Sequence, residues 1–121
     1  MDKQLDYHDA EITKLEYLIE KNELIIRIRT HNEAIYDLRF IEILGWEFSS
    51  FEIQNHLLDF RIYNSETLPA YILEEYEVQA AYLDLMKNMN GYLFELDPAT
   101  GLGGYIIALD FQENKIKTLD N

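Results

Sequence analysis

The stretch Leu24-Ile25-Ile26-Arg27-Ile28-Arg29-Thr30 sets Leu24, Ile26 and Ile28 on one side and Arg27 and Arg29 on the other. A period of two carried by β-branched residues is the signature of a strand with one dry face and one wet face. Ile35 to Phe40 repeats it, with Tyr36, Leu38 and Phe40 inward and Asp37 and Arg39 outward. Thr30-His31-Asn32-Glu33 between them is a polar connection of hairpin length, so the two strands are expected to pair antiparallel. That pairing brings Arg27 or Arg29 within reach of Asp37.

Upstream, Ala10 to Glu20 carries two periods. Ile12, Leu15, Leu18 and Ile19 suit a helix, whereas Leu15, Tyr17 and Ile19 against Glu16 and Glu20 suit a strand. Lys21-Asn22 reads as a two-residue turn into the next strand and favours the second reading. Phe51-Glu52-Ile53-Gln54 and Leu58 to Tyr63 also alternate, with Asn55-His56 as a bend, so the opening half predicts a meander of four or five antiparallel strands. From Thr67-Leu68-Pro69, a hydroxyl cap followed by proline, the period becomes helical and stays so to Met89, where Asn90-Gly91 supplies a stop. On a helical wheel Glu74, Glu77, Asp84 and Asn88 gather on one side. The apolar side, from Ile72 to Met89, is wider than a helix on one sheet face needs.

The last third returns to strands: Tyr92 to Leu96, a glycine-rich loop over 97–104, Tyr105 to Phe111, a turn at Gln112-Glu113-Asn114, and Lys115 to Leu119. The whole predicts a single α+β domain over residues 1–121: an antiparallel β-sheet meander, one main helix over about 69–89 packed on it, and a C-terminal β-hairpin.

The 121 residues carry 23 acids against 10 bases, a net charge of −13. Such a field repels nucleic acid and anionic membranes and attracts a basic protein partner. Between Ile62 and Asn114 nine acids face only Lys87. The helix holds the densest part, and Glu74, Glu75, Glu77 and Asp84, with Tyr71 among them, are the candidate partner-binding residues. Its wide apolar side offers a second route, association into a homodimer.

Chemistry-bearing motifs are sparse. No cysteine is present. Gly101-Leu102-Gly103-Gly104 runs into a strand, with no lysine nearby, whereas a phosphate loop opens into a helix. His8, Asp9 and Glu11 are a local set that suits a metal-dependent enzyme or binder, and His56 lies four residues after Glu52. No nucleophile elbow surrounds Ser49, Ser50 or Ser65. The expectation is a non-catalytic protein without cofactor. Met1-Asp2-Lys3-Gln4-Leu5-Asp6 has no apolar leader core, and with no long apolar run the chain reads as cytoplasmic.

His8-Asp9-Ala10-Glu11-Ile12, the hairpin ending in Tyr36-Asp37-Leu38-Arg39-Phe40, and Asn55-His56-Leu57-Leu58-Asp59 together resemble small bacterial YxiG-like and polymorphic-toxin immunity proteins, which open with His-Asp-Ala followed by strands. The resemblance covers residues 8–60, about half the chain. It implies a cytoplasmic protein that binds and neutralises a toxin, and it assigns neither the toxin nor the residues that touch it.

Overall fold

The computed structural model describes residues 7–118; the opening stretch Met1 to Asp6, expected to carry no leader, and the last position of the final expected strand, Leu119, lie outside it. Six strands, β1 (Glu11–Leu18), β2 (Glu23–Arg29), β3 (Ala34–Ser49), β4 (His56–Tyr63), β5 (Tyr92–Thr100) and β6 (Gly103–Thr118), form an antiparallel barrel in the order β1-β2-β3-β6-β5-β4. Two short helices, α1 (Ala70–Glu75) and α2 (Ala80–Asn88), connect β4 to β5. No helix among the described residues is long and apolar enough to cross a membrane.

Residues 11–18 are a strand, as the turn argument favoured, but the connection to β2 runs from Ile19 to Asn22, since Leu18 pairs with Glu23. The expected hairpin of β2 and β3 holds in register: Ile26 faces Leu38, and Arg27 faces Asp37. Leu24, Ile26, Ile28, Leu38 and Phe40 are buried, as their alternation requires.

β3 and β6 are each 16 residues long and serve two layers. Residues 35–41 of β3 pair with β2 on one side, and residues 34–41 with 110–118 of β6 on the other; residues 43–49 pair with 103–108 of β6, which in turn pairs with β5. The first layer is therefore β1, β2 and the outer halves of β3 and β6, and the second is β4, β5 and the other two halves. Both long strands shift their inward side at the same place. Phe40 and Ile43 face the core three positions apart, as do Ala108 and Phe111. Glu42 takes φ 57° there, and the register of β3 with β6 shifts between Ile43 and Gly45. Strands that pass from one layer to another through a bulge build such corners. The core between the layers joins Ile12, Leu24, Ile26, Ile28, Leu38 and Phe40 to Leu57, Phe60, Phe94, Leu96, Ile106 and Ala108.

Several expectations change. Phe51 to Gln54 is no strand: Ser50 turns left-handed, and Phe51 and Ile53 are exposed, the latter at 99%. The buried side chain of Asn55 shapes this turn, accepting from the N–H of Glu52 (2.8 Å) and donating to its carbonyl (2.6 Å). The same Oδ1 accepts from the N–H of Leu102 (2.9 Å), tying the β5–β6 turn to the β3–β4 turn. The expected loop over 97–104 shrinks to Gly101-Leu102, because β5 runs on through Pro98 to Thr100 across bulges in its pairing with β4. A bulge also reverses β4, so Leu57 is buried and Leu58 exposed. The C-terminal hairpin expected at Gln112-Glu113-Asn114 does not form. Those residues continue β6 opposite Arg39, Leu38 and Asp37, and the hairpin present is β5–β6. The opening meander has three strands; β4 joins β5 and meets β1 at Glu11 and His56.

The single helix over 69–89 is two. Glu77 takes φ 50°, and Tyr76 and Val78 both pack on the outer face of the second layer. In a continuous helix those two residues would point about 200° apart, so the break is what lets both reach the sheet. Thr67 is not the cap; Pro69 holds that position, while Thr67 and Asn64 bond each other across a turn. The stop at Asn90-Gly91 is present: Asn90 is left-handed, and the N–H of Gly91 bonds the carbonyl of Met86 at 2.8 Å.

Candidate functional site

The two layers present different outer faces. On the first, side chains opposite or diagonal to one another across neighbouring strands carry opposite charge. Arg27 grips Asp37 through two bonds (2.8 and 3.1 Å), Arg29 reaches Glu11 at 2.5 Å, and Arg39 pairs with Glu23. The bond from Arg27 lowers the pKa of Asp37 and overrides the opposing effect of burial. This ladder uses Glu11, and His8 sits 3.0 Å from the carbonyl oxygen of Leu58 and 3.6 Å from Asp9. His8, Asp9 and Glu11 are thus not gathered on one point, and no group of three His, Asp or Glu among the described residues could hold a metal ion.

On the second layer a row of outward side chains crosses four strands in register: Arg61 on β4, Glu95 on β5, Tyr105 on β6 and Glu47 on β3. α1 and α2 lie over it, with Ile72 and Met86 buried against Leu93, Tyr105 and Ile107. Gly45 makes room for α2, since a Cβ there would stand 2.7 Å from the ring of Tyr82.

Glu95 is 1% exposed, yet it has donors on every side. Its Oε1 accepts from Arg61 (3.2 Å) and from Tyr71 (2.8 Å), and its Oε2 accepts from Tyr76 (2.7 Å). The Tyr63 hydroxyl lies 3.0 Å from that of Tyr71 and, because Tyr71 directs its own proton to Glu95, donates to it. Arg61 also bridges Asp97 at 2.9 Å and Asp59 at 3.6 Å. Burial works against the charge of Arg61, but Asp97 and Glu95 outweigh it and raise its pKa. Burial first, then Tyr63 and Glu95 for Tyr71 and Glu95 for Tyr76, push both hydroxyls well above the ordinary tyrosine range. A carboxylate so fully bonded serves to fix the helices to the sheet.

Tyr105 differs. It is 0% exposed, and its hydroxyl bonds no side chain. Burial, followed by the charge of Glu47, pushes it up to about 12, while the backbone of Gln79 pulls the other way. Beside it opens a pocket of about 340 Å³ walled by Glu47, Glu75, Tyr76 and Glu77 and floored by Gly103 and Gly104. Gly104, at φ 143°, can take no side chain, because a Cβ would collide with the carbonyl of Glu47. A second cleft, of about 690 Å³, lies where β6 leaves β5 and is lined by Phe60, Tyr92, Phe94, Asp110 and Phe111.

The candidate residues Glu74, Glu75, Glu77, Asp84 and Tyr71 are all exposed on this helical cap, with Tyr71 turning its hydroxyl inward to Glu95. Glu75 and Glu77 line one pocket. Arg61, Glu95, Tyr105 and Glu47 escaped sequence reasoning. The available signal was a lone charge inside each of two apolar strands, Phe60-Arg61-Ile62 and Phe94-Glu95-Leu96, which only pairing could connect.

No family model, no curated protein and no solved structure matches the chain.

Proposed function

We propose that this chain is a non-catalytic binding protein whose helical cap receives a basic protein, in the manner of an immunity protein neutralising a bacterial toxin. The observation that carries the reading is the exposure of Glu74, Glu75, Glu77 and Asp84 together on a cap whose underside is fixed by Glu95. A rigid acidic face steers a basic partner and loses little entropy when it docks. The net charge of −13 adds a long-range attraction. Tyr71 and Leu73, exposed among these acids, supply area that water leaves on contact.

Capture from a lysate of the source organism tests this. One basic protein is expected to be retained in near-equal amount, with association slowed by salt and by Glu74→Lys with Glu77→Lys. A basic protein held equally well by the double variant would place its contact elsewhere, and a bait that retains none would sink the reading.

A second reading rests on Leu73, Leu85 and Met89, which are exposed on the same helices. They suit a homodimer burying apolar area. Light scattering decides it, because a monomer at high protein concentration removes the dimer.

A further inference from the structure

We infer that the outer half of β6 and the cleft beside it form a binding site for an extended peptide segment, one that adds a strand to β6, seats an aromatic side chain in the cleft and carries a lysine or arginine next to it. The site lies apart from the acidic cap, since no residue of α1 or α2 lines this cleft.

The β5–β6 ladder ends where Tyr92 meets Ala108, while β6 runs on to Thr118. From Asp110 to Lys115 it pairs residue for residue with Ile41 to Tyr36 of β3, and no strand among the described residues pairs with its other edge. Every second residue of an antiparallel strand turns its N–H and C=O away from a given neighbour. On a regular, unpaired edge those groups are a template for one more strand. The edge of β1 offers less: its pairing with β2 slips between Ile12 and Lys14, and no residue of β1 lines either pocket.

The cleft supplies the specificity. At about 690 Å³ it falls within the roughly 300–1,000 Å³ of ligand sites, and Asp110 and Phe111 of the unpaired stretch line it. Phe111 packs on the core, its ring 5.5 Å from that of Phe60 and 5.3 Å from that of Phe94, and both of those also line the cleft. A residue opposite Phe111 on an added strand projects to the same face, into this aromatic lining. Ring contacts there add to the area buried, so the side chain selected is aromatic. In an antiparallel addition the next residue stands opposite Asp110, which is exposed. A cation at that place makes a cross-strand pair of the kind Arg27 makes with Asp37, and the net charge of −13 draws a basic segment in.

The test titrates the isotope-labelled protein with the peptide acetyl-Thr-Val-Phe-Lys-Val-amide and follows backbone amides, and their exchange with solvent, by NMR. Saturable shifts are expected from Asp110 to Lys115 and at Tyr92, with a dissociation constant of about a tenth of a millimolar and slower exchange at alternate amides of β6. Replacing the phenylalanine of the peptide by alanine should weaken binding about tenfold, as the loss of one buried aromatic side chain requires. Asp110→Asn, which keeps the acceptor for the N–H of Phe111, should weaken it about two- to fivefold. Two versions of the peptide, N-methylated on alternate amides, separate strand addition from simple burial: one should lose binding and the other keep it. Linear shifts, equal binding by the two methylated peptides, or full binding by the alanine peptide would each overturn the assignment. So would slow exchange at the same amides that grows with protein concentration when no peptide is present, since the edge would then belong to a second copy. The titration needs no captured protein, so its outcome is separate from that of the capture experiment.

Discussion

The outer faces of the two layers solve the same problem, charge on a sheet, in opposite ways. On the first, Arg27–Asp37, Arg29–Glu11 and Arg39–Glu23 pair across strands and remain partly wet. On the second, Arg61 and Glu95 pair across strands beneath two helices, and tyrosines take the place of water. An exposed pair contributes little because water already solvates both partners. A buried carboxylate is costly alone and is held only while its donors are present. The wet ladder therefore tolerates change, whereas the covered row fixes the cap and everything the cap displays.

The largest expected contrast comes from removing one acid from each face. Glu95→Ala leaves Arg61, Tyr71 and Tyr76 without their acceptor and should cost about 3–5 kcal/mol in urea unfolding. Asp37→Ala should cost less, about 1–2 kcal/mol, because the Arg27 it leaves behind stays in reach of water. Equal losses would erase the distinction between the faces.

Gly45→Ala comes next. The new methyl meets the Tyr82 ring and should cost about 1–3 kcal/mol, with loss of tyrosine near-ultraviolet dichroism as α2 lifts. Tyr82→Ala in the same chain should relieve part of that cost, and strict additivity would contradict the contact.

pH separates the faces by sign. The folded pKa of Asp37 is depressed, so its contribution is complete above the unfolded value of about 3.9 and is lost as pH falls through the folded one. Those of Tyr71, Tyr76 and Tyr105 are raised, so their contribution is complete below the unfolded value of about 10 and is lost as pH rises through the folded ones. For Tyr105 that upper limit is about 12. Stability against pH, read with tyrosinate absorbance, should show the cap loosening in alkali and the ladder weakening in acid.

The smallest effect is a gain. Glu77 holds a left-handed backbone at φ 50°, and Glu77→Gly should raise stability by up to about 1 kcal/mol. No gain would mean that the Glu77 side chain itself supports the bend.

How much of this is legible in the sequence follows from the same contrast. The first layer has one wet face, so Leu24 to Arg29 and Ile35 to Phe40 alternate cleanly and their pairing can be read directly. The second layer is covered on both faces. Residues 41–49 of β3 lose alternation because Ile43 and Trp46 face the core while Leu44 faces the helices, and no strand is visible there. Gln112-Glu113-Asn114 looks like a turn because that half of β6 borders β3 alone, where polar residues are usual, and Glu113 is held by the Tyr7 hydroxyl. The acids of the cap were legible as a charged helix segment. The row beneath them was not, because Arg61, Glu95, Tyr105 and Glu47 come from four strands and only the register joins them.

The most direct test of the central claim compares charge reversal on the two faces. Glu74→Lys with Glu77→Lys alters the cap; Glu20→Lys with Glu33→Lys alters the exposed turns of the first layer by the same net charge. If the cap is the recognition face, the association rate of the captured basic protein falls steeply with the first pair and only slightly with the second. Equal slowing by both pairs would reduce the cap to bulk charge and contradict the account.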